Sequence, residues 1–351
     1  MLQQLARPVK NTIKNLVHKS GYQITKLDVQ DIQPLPAGLA PAPGTIPAGA
    51  REFLRGDNPR LVDLRQRYAS LSHPVAAHSH WTASFVDQNV DLLNFRGDNA
   101  YLWQVRQSRR DAEMRYFANT LYIERIDHRG LMSKMVEEGA FGCYAFQYQG
   151  RHGMSRDLLD SINEIYFLDR QIGLFDKPDL RVLDIGAGYG RLAHRMSEAL
   201  PNLKSYVCVD AVPESTFLSE YYLKHRGLPE SLARAVPLDQ IGALESMPQF
   251  DVAVNIHSFT ECNYEAIRWW LNMVSRLNIR WLLIAPNKGP GDAEHDLFSI
   301  ESDRTRKDFT NLLEEAGYKQ ELRAPKFDDP HLQVGIPWFA DTYYHLFQKV
   351  A

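Results

Sequence analysis

The chain of 351 residues is 44% hydrophobic and 24% charged, with a formal net charge of -3, the profile of a folded globular protein rather than a fibrous or disordered one. That charge gives no general attraction for polyanions, so nucleic acid is not expected as a partner. Cys143, Cys208 and Cys262 lie far apart without disulfide or metal-ligand spacing, and no run of about 18 apolar residues offers a membrane span.

Residues 1–27 carry Arg7, Lys10, Lys14, Lys19 and Lys26 and no acid, with Leu2, Leu5, Val9, Ile13, Leu16 and Val17 at steps of three and four. The pattern predicts a basic amphipathic helix, weakened at its start by Pro8. Such a helix rests on an anionic membrane, docks on a partner such as a glycosyltransferase, or packs on its own protein. The apolar core of a signal peptide is absent, which points to the cytoplasm, at most peripheral to the inner membrane. Five prolines between 33 and 47 exclude helix and central strand and predict a linker, so 1–49 forms a first unit.

Residues 50–170 read as a mainly helical cap over the acceptor side. Phe53, Leu54, Leu61, Leu64 and Tyr68 suggest a first helix, and 101–122 others. Ser155 is placed to cap a helix whose apolar face is Leu158, Leu159, Ile162, Ile165 and Tyr166. From 171 to 351 strands and helices alternate, which predicts an α/β domain. Strands are expected at 182–185, 206–210, 233–238, 250–257, 280–286, 318–327 and 343–350, with helices at 264–277 and 306–316.

The first of these strands runs into a turn with Gly186, Ala187, Gly188 and Gly190, and Asp184 stands two residues before it. The spacing Gly-x-Gly-x-Gly departs from the Gly-x-Gly-x-x-Gly of dinucleotide sites, because Arg191 holds the last position. It resembles motif I of the class I S-adenosylmethionine (SAM)-dependent methyltransferases. That likeness implies a seven-stranded Rossmann-like sheet with its final strand antiparallel, SAM as cofactor, and Asp184 near the cofactor's amino group. At the end of the second strand, Asp210 suits the ribose hydroxyls, or it caps the helix beginning near Glu214.

Ligands of open α/β sheets sit beyond the carboxyl ends of the strands, where Leu238 and Asn255 also fall as cofactor contacts. Arg156 either pairs with the cofactor carboxylate or with Asp160 one helical turn on. The fourth strand ends in Asn255-Ile-His-Ser-Phe-Thr-Glu261, not in the Asn/Asp-Pro-Pro-Tyr/Phe turn common among amide-nitrogen methylases. A hydroxyl acceptor needs a base, and His257 is the side chain best suited near neutral pH. Glu261, four residues on, either orients His257 from one helical face or is itself the base. Asn287 and His295, in a loop rich in glycine, are expected to bind substrate. Glu294, His295 and Asp296 are adjacent and cannot all face one ion from a regular element, so no metal is assigned. Trp81, with His80 and Trp103, is either a platform for a pyranose ring or plain core.

Four segments, 155–164, 183–194, 210–216 and 254–262, together resemble the bacterial family of sugar O-methyltransferases found with antibiotic-sugar and surface-polysaccharide genes. The likeness spans roughly residues 90–351. It implies methylation of a sugar hydroxyl, with a sugar or glycan as partner. Two other readings stand beside it: an O-methyltransferase for a lipid or other non-sugar acceptor, and a non-catalytic scaffold of a glycan assembly.

Overall fold

The computed structural model describes residues 46–97, 99–101, 109–147, 153–287, 296–330, 332 and 342–350. The basic segment 1–27, nearly all of the proline-rich stretch, Trp103, Glu294 and His295 lie outside the described residues.

The N-terminal half is assembled from short helices: α1 (Ala50–Phe53), α2 (Pro59–Ala69), α3 (Ala83–Asn89), α4 (Arg109–Ile126) and α5 (Leu131–Lys134). A single first helix was expected where α1 and α2 stand. The chain breaks because Asn58 accepts the Arg60 N–H and Pro59 takes the first helical position, a strong restart signal. A small hairpin of β1 (Ala145–Gln147) and β2 (Gly153–Ser155) then leads into α6 (Arg156–Ile172). Ser155 accepts the Leu158 N–H as the expected cap, and Leu158, Leu159, Ile162, Ile165 and Tyr166 are all fully buried.

The second half alternates as β3 (Leu180–Ile185), α7 (Arg191–Ala199), β4 (Leu203–Val209), α8 (Pro213–His225), β5 (Ala233–Val236), β6 (Val252–His257), α9 (Tyr264–Arg276) and β7 (Trp281–Pro286). After these come β8 (Phe298–Ile300), β9 (Arg306–Asp308), α10 (Thr310–Glu315), β10 (Tyr318–Pro325) and β11 (Tyr343–Lys349). The helix expected over 306–316 is thus halved. Residues 306–308 are exposed and pair with β8, and Asp308 then accepts the Thr310 N–H to start the helix.

Seven strands form one sheet in the order β10-β11-β7-β6-β3-β4-β5. The pairs β3–β4, β4–β5, β3–β6 and β6–β7 are parallel, while β11 runs antiparallel to both of its neighbours. This is the seven-stranded, mostly parallel sheet anticipated from the sequence. Its central strands are continuous apolar runs because both faces are covered. Val182, Val252, Val254 and Leu283 face α6 and α7, whereas Leu183, Ile185, Ala253 and Ile284 face α8, α9 and α10. Strand order departs from β3 in both directions, so the carboxyl ends of β3 and β6 flank a topological switch point. No helix among the described residues is long and apolar enough to cross a membrane.

Beneath that edge lies a fully buried charge square. Arg96 and Arg195 alternate with Glu137 and Asp157: Arg96 bonds Glu137 at 2.8 Å and Asp157 at 3.2 Å, and Arg195 bonds Glu137 at 2.8 Å and Asp157 at 2.9 Å. Ser155, the Gly139 N–H and Tyr189 Oη donate to the remaining carboxylate sites. Burial alone would raise both acids, but the two guanidinium charges prevail and hold them below the ordinary carboxylate range.

Removing one corner leaves an uncompensated buried charge, so Arg195→Met is expected to cost about 3–5 kcal/mol. Urea denaturation measures it, and a loss under about 1 kcal/mol would contradict the role. The acids are depressed in the folded state. Their contribution is therefore present above the unfolded pKa near 4 and lost as pH falls below it; the variant should lack most of this acid-induced loss.

Candidate active site

The turn after β3 curls back over β4. Gly186 and Ala187 N–H groups both donate to the Val209 carbonyl, at 2.9 and 3.2 Å. Gly186 has φ 71°, and a Cβ there would fall on the Ser258 side chain; at Gly188, φ 57°, a Cβ would meet the Tyr101 ring at 3.2 Å. Glycine is required at both by backbone conformation and by close approach.

A cavity of about 620 Å³ opens at this edge, within the range of small-molecule sites. Its wall brings together Asp184, Gly186, Ala187, Gly188, Asp210, Arg156, His257, Glu261, Asn287 and Trp81. Three other expected cofactor contacts stand off it. Gly190 is spent on the start of α7. Leu238 is buried in the core, its N–H donating to Tyr68 Oη at 2.8 Å. Asn255 is fully buried and bridges main chain, donating to the Ile185 carbonyl at 2.8 Å and accepting the Phe259 N–H at 2.9 Å. It clamps the end of β6 to the end of β3.

Asp210 does not cap α8. Its two oxygens accept the Gly188 and Val212 N–H groups, each at 2.9 Å, so it braces the glycine turn. Burial nevertheless pushes its carboxyl up to about 6, and pushes that of Asp184 up to about 7 against the hydrogen bond from Tyr206. Among the described residues neither acid has a cation in contact, and both border the cavity.

His257 ends β6 with φ 69°. Of the five non-glycine residues with positive φ among those described, only His257 lines the cavity, and strain of this kind concentrates at functional positions. Burial, then the charges of Lys326 and Arg156, hold its imidazole well below the usual range, hence neutral at pH 7. Arg156 itself pairs with Asp160 at 3.1 Å, which is one of its two expected roles.

The anticipated pairing of Glu261 with His257 is not formed. The segment Ser258–Glu261 is a 3-10 turn, in which residues three apart eclipse and those four apart diverge. Glu261 instead accepts Trp81 Nε1 at 2.7 Å and Asn287 Nδ2 at 3.2 Å, and burial pushes it up to about 7. Trp81 packs near Phe85 and Tyr101, with ring centroids 5.5 and 5.3 Å away. Asp296 is drawn off to Arg323 at 2.6 Å. Among the described residues no cluster of His, Cys, Asp or Glu is built to hold a metal ion.

Sequence reasoning missed Tyr101, Arg115, Asn119 and Lys326, all on the cavity wall. They arrive from α4, from the segment before it and from the end of β10, and no local motif marks them. The Tyr101 hydroxyl lies 3.1 Å from Ser215 Oγ.

No known-family profile matches the chain, and no curated protein does. Solved structures align with about half of it. The [4+2]-cyclase SpnF is 16% identical, with a TM-score of 0.37 over 56% of this chain and 82% of that one. Magnesium protoporphyrin IX methyltransferase ChlM from Synechocystis PCC 6803 with bound SAH is 14% identical, with a TM-score of 0.36 over 54% and 81%. An S-adenosylmethionine-dependent methyltransferase from Clostridium acetobutylicum ATCC 824 is 13% identical, with a TM-score of 0.37 over 54% and 91%. Likenesses of this size say nothing of chemistry in this chain.

Gly186→Ala adds both a clash and an unfavourable φ, so a loss of about 1–3 kcal/mol is expected. In thermal denaturation the double variant with Ser258→Gly should recover part of it, since only the clash is relieved. Full stability in the single variant would mean that the turn is not so constrained.

Proposed function

We propose that this protein is a SAM-dependent O-methyltransferase acting on a sugar hydroxyl, with His257 as general base. The observation that supports it most is the convergence, at one switch-point cavity, of the glycine turn, two carboxyls that burial raises and a strained neutral histidine. A ligand that brings positive charge and hydroxyl donors suits Asp184 and Asp210, whose carboxyls burial raises in spite of the neutral donors that meet them. Asp184 would meet the amino group, Asp210 the ribose hydroxyls, and Gly186 to Gly188 the chain between. Bound there, SAM supplies a methyl group already activated by its sulfonium charge, leaving alignment and proton removal to the protein.

His257 is unprotonated at working pH and is therefore able to take the acceptor's hydroxyl proton. Glu261, raised toward neutrality, is the second candidate base, although its hydrogen bonds to Trp81 and Asn287 suit it to orienting those two side chains. Trp81 offers an apolar ring edge and Asn287 an amide for acceptor hydroxyls. The sugar as acceptor class rests on these groups and on the motif resemblance described above.

Incubation with SAM and a glycan panel, read by mass spectrometry, tests the reaction; acceptors that gain no methyl mass would refute it. His257→Ala is expected to cut turnover on the order of a hundredfold with cofactor affinity kept, and near-normal turnover excludes it as base.

Asp210→Ala should weaken SAM binding at least about tenfold by titration calorimetry, the loss of a charge-assisted hydrogen bond. In the wild type the same affinity should fall as pH drops through 7 to 6, because protonation removes the carboxylates that the cation needs. Binding near pH 6.5 should accordingly release protons, seen as a dependence of the heat on buffer ionisation. A pH-independent affinity would contradict the assignment of both acids.

A further inference from the structure

Two side chains on the cavity wall have polar atoms that the fold itself leaves unbonded. Asn119 stands in the interior of α4, only 7% exposed, and its amide oxygen has no hydrogen-bond partner among the described residues. Asparagine is costly there on two counts: its side chain competes with the helix backbone, and a buried acceptor left unmet is expensive. The neighbouring Thr120 shows the ordinary solution, its hydroxyl donating to the Tyr116 carbonyl one turn back at 2.7 Å. Thr342, just before β11, repeats the pattern of Asn119, for its buried Oγ1 likewise has no partner among the described residues. Both residues line the cavity that holds His257.

Residues 326 and 327 connect the two. The Lys326 N–H donates to the Thr342 carbonyl at 2.7 Å, and the Phe327 ring meets Tyr122 edge-on with 5.3 Å between centroids. Tyr122 lies three residues after Asn119 and so on the same face of α4. Asp160, an acid of the same cavity, already has Lys326 Nζ at 3.3 Å and Arg156 Nε at 3.1 Å. The two groups left open are neutral, an amide and a hydroxyl. An amide presents its oxygen or its NH2 by a half-turn of the side chain, and a hydroxyl both donates and accepts, so the pair matches hydroxyls of a ligand.

Resting on the reading of this cavity as a methyl-acceptor site, we propose that Asn119 and Thr342 determine acceptor specificity by taking hydroxyls other than the one that is methylated, so that the acceptor is a ring carrying several hydroxyls and not a lone alcohol. An acceptor without those hydroxyls leaves both groups buried and unpaired, the circumstance in which a site rejects a deoxygenated analogue most strongly. The free protein is correspondingly less stable than it would be with apolar side chains at these positions, a loss of the kind that binding sites commonly carry.

Thermal denaturation of the ligand-free protein gives the first readout. Asn119→Leu, close to isosteric, should raise Tm by about 2 °C or more because it removes the unmet amide, whereas loss of a side chain that the fold needs would lower it. Thr342→Val should act in the same direction, and it decides should the leucine variant fail to fold. Titration calorimetry of the protein loaded with S-adenosylhomocysteine then compares glucose, galactose and myo-inositol with cyclohexanol, a six-membered ring bearing one hydroxyl. At least one polyol is expected to bind about tenfold or more tightly than cyclohexanol. Each substitution should shrink that preference at least about threefold and the double variant should abolish it, with S-adenosylhomocysteine affinity kept within about twofold. A Tm that is unchanged or lowered in both variants, no polyol binding more tightly than cyclohexanol, or a preference that survives the double variant would overturn the proposal. S-Adenosylhomocysteine titrated alone reports separately on the cofactor reading; were it not to bind, the polyol preference measured on ligand-free protein still judges this inference.

Discussion

The geometry of the carboxyl edge of the sheet depends on the buried square of Arg96, Glu137, Asp157 and Arg195. Its corners come from four separate stretches: the segment before α4, the turn after α5, the first turn of α6 and the middle of α7. The Tyr189 hydroxyl, donating to Asp157 at 2.7 Å, adds the glycine turn itself. Two cations and two anions alternate, so each charge faces opposite partners, and most lone pairs and N–H groups that water would have met are met by protein. A hydrophobic replacement of equal volume would pack as well but would not fix the direction of five chain segments. The square therefore acts as a joint through which the N-terminal cap and the sheet share one reference frame.

The acids of the molecule divide by what burial does to them. Glu137, Asp157 and Asp160 are buried against guanidinium or ammonium groups and are held below the usual range. Asp184, Asp210 and Glu261 are buried against hydroxyl, amide and indole donors and are pushed up toward neutrality. Neutral donors stabilise a carboxylate less than a full charge does, so desolvation wins in the second group and loses in the first. All three raised acids border the cavity, two at the glycine turn and one under Trp81. Asp160 lines the same cavity, and it alone of the cavity acids just named is compensated by cations.

Legibility in the sequence follows the range of the interactions. The sheet could be read because β3, β4, β6 and β7 are short apolar runs covered on both faces, and the Gly186 turn because its dihedrals restrict residue type locally. The Ser155 cap is local too. The split of the first helix at Pro59 was equally local and was missed because the apolar spacing of Leu54 and Leu61 bridges the break. Asn255 and Gly190 carry the motif but serve the backbone, a distinction that spacing alone does not make. Glu261 was given a helical offset from His257, whereas the 3-10 turn rotates it toward Trp81. Lys326 has no local signature at all, since the acid it pairs with, Asp160, lies over a hundred residues away in the chain.

The tertiary arrangement around His257 sets its protonation state. Burial, with Lys326 and Arg156, keeps the imidazole neutral against the opposing pull of Asp160. The strained φ of 69° comes where the Asn255 clamp fixes β6 before His257 and the Thr260 hydroxyl, donating to the His257 carbonyl at 2.8 Å, fixes the turn after it. The backbone at His257 is thus held from both sides along the chain. Among the described residues the charged groups that act on the ring are paired, Asp160 with Arg156 and Lys326, and Glu164 with Arg191. The neutrality of His257 is therefore a product of tertiary packing, set by burial and by cations that come from α6 and from the end of β10.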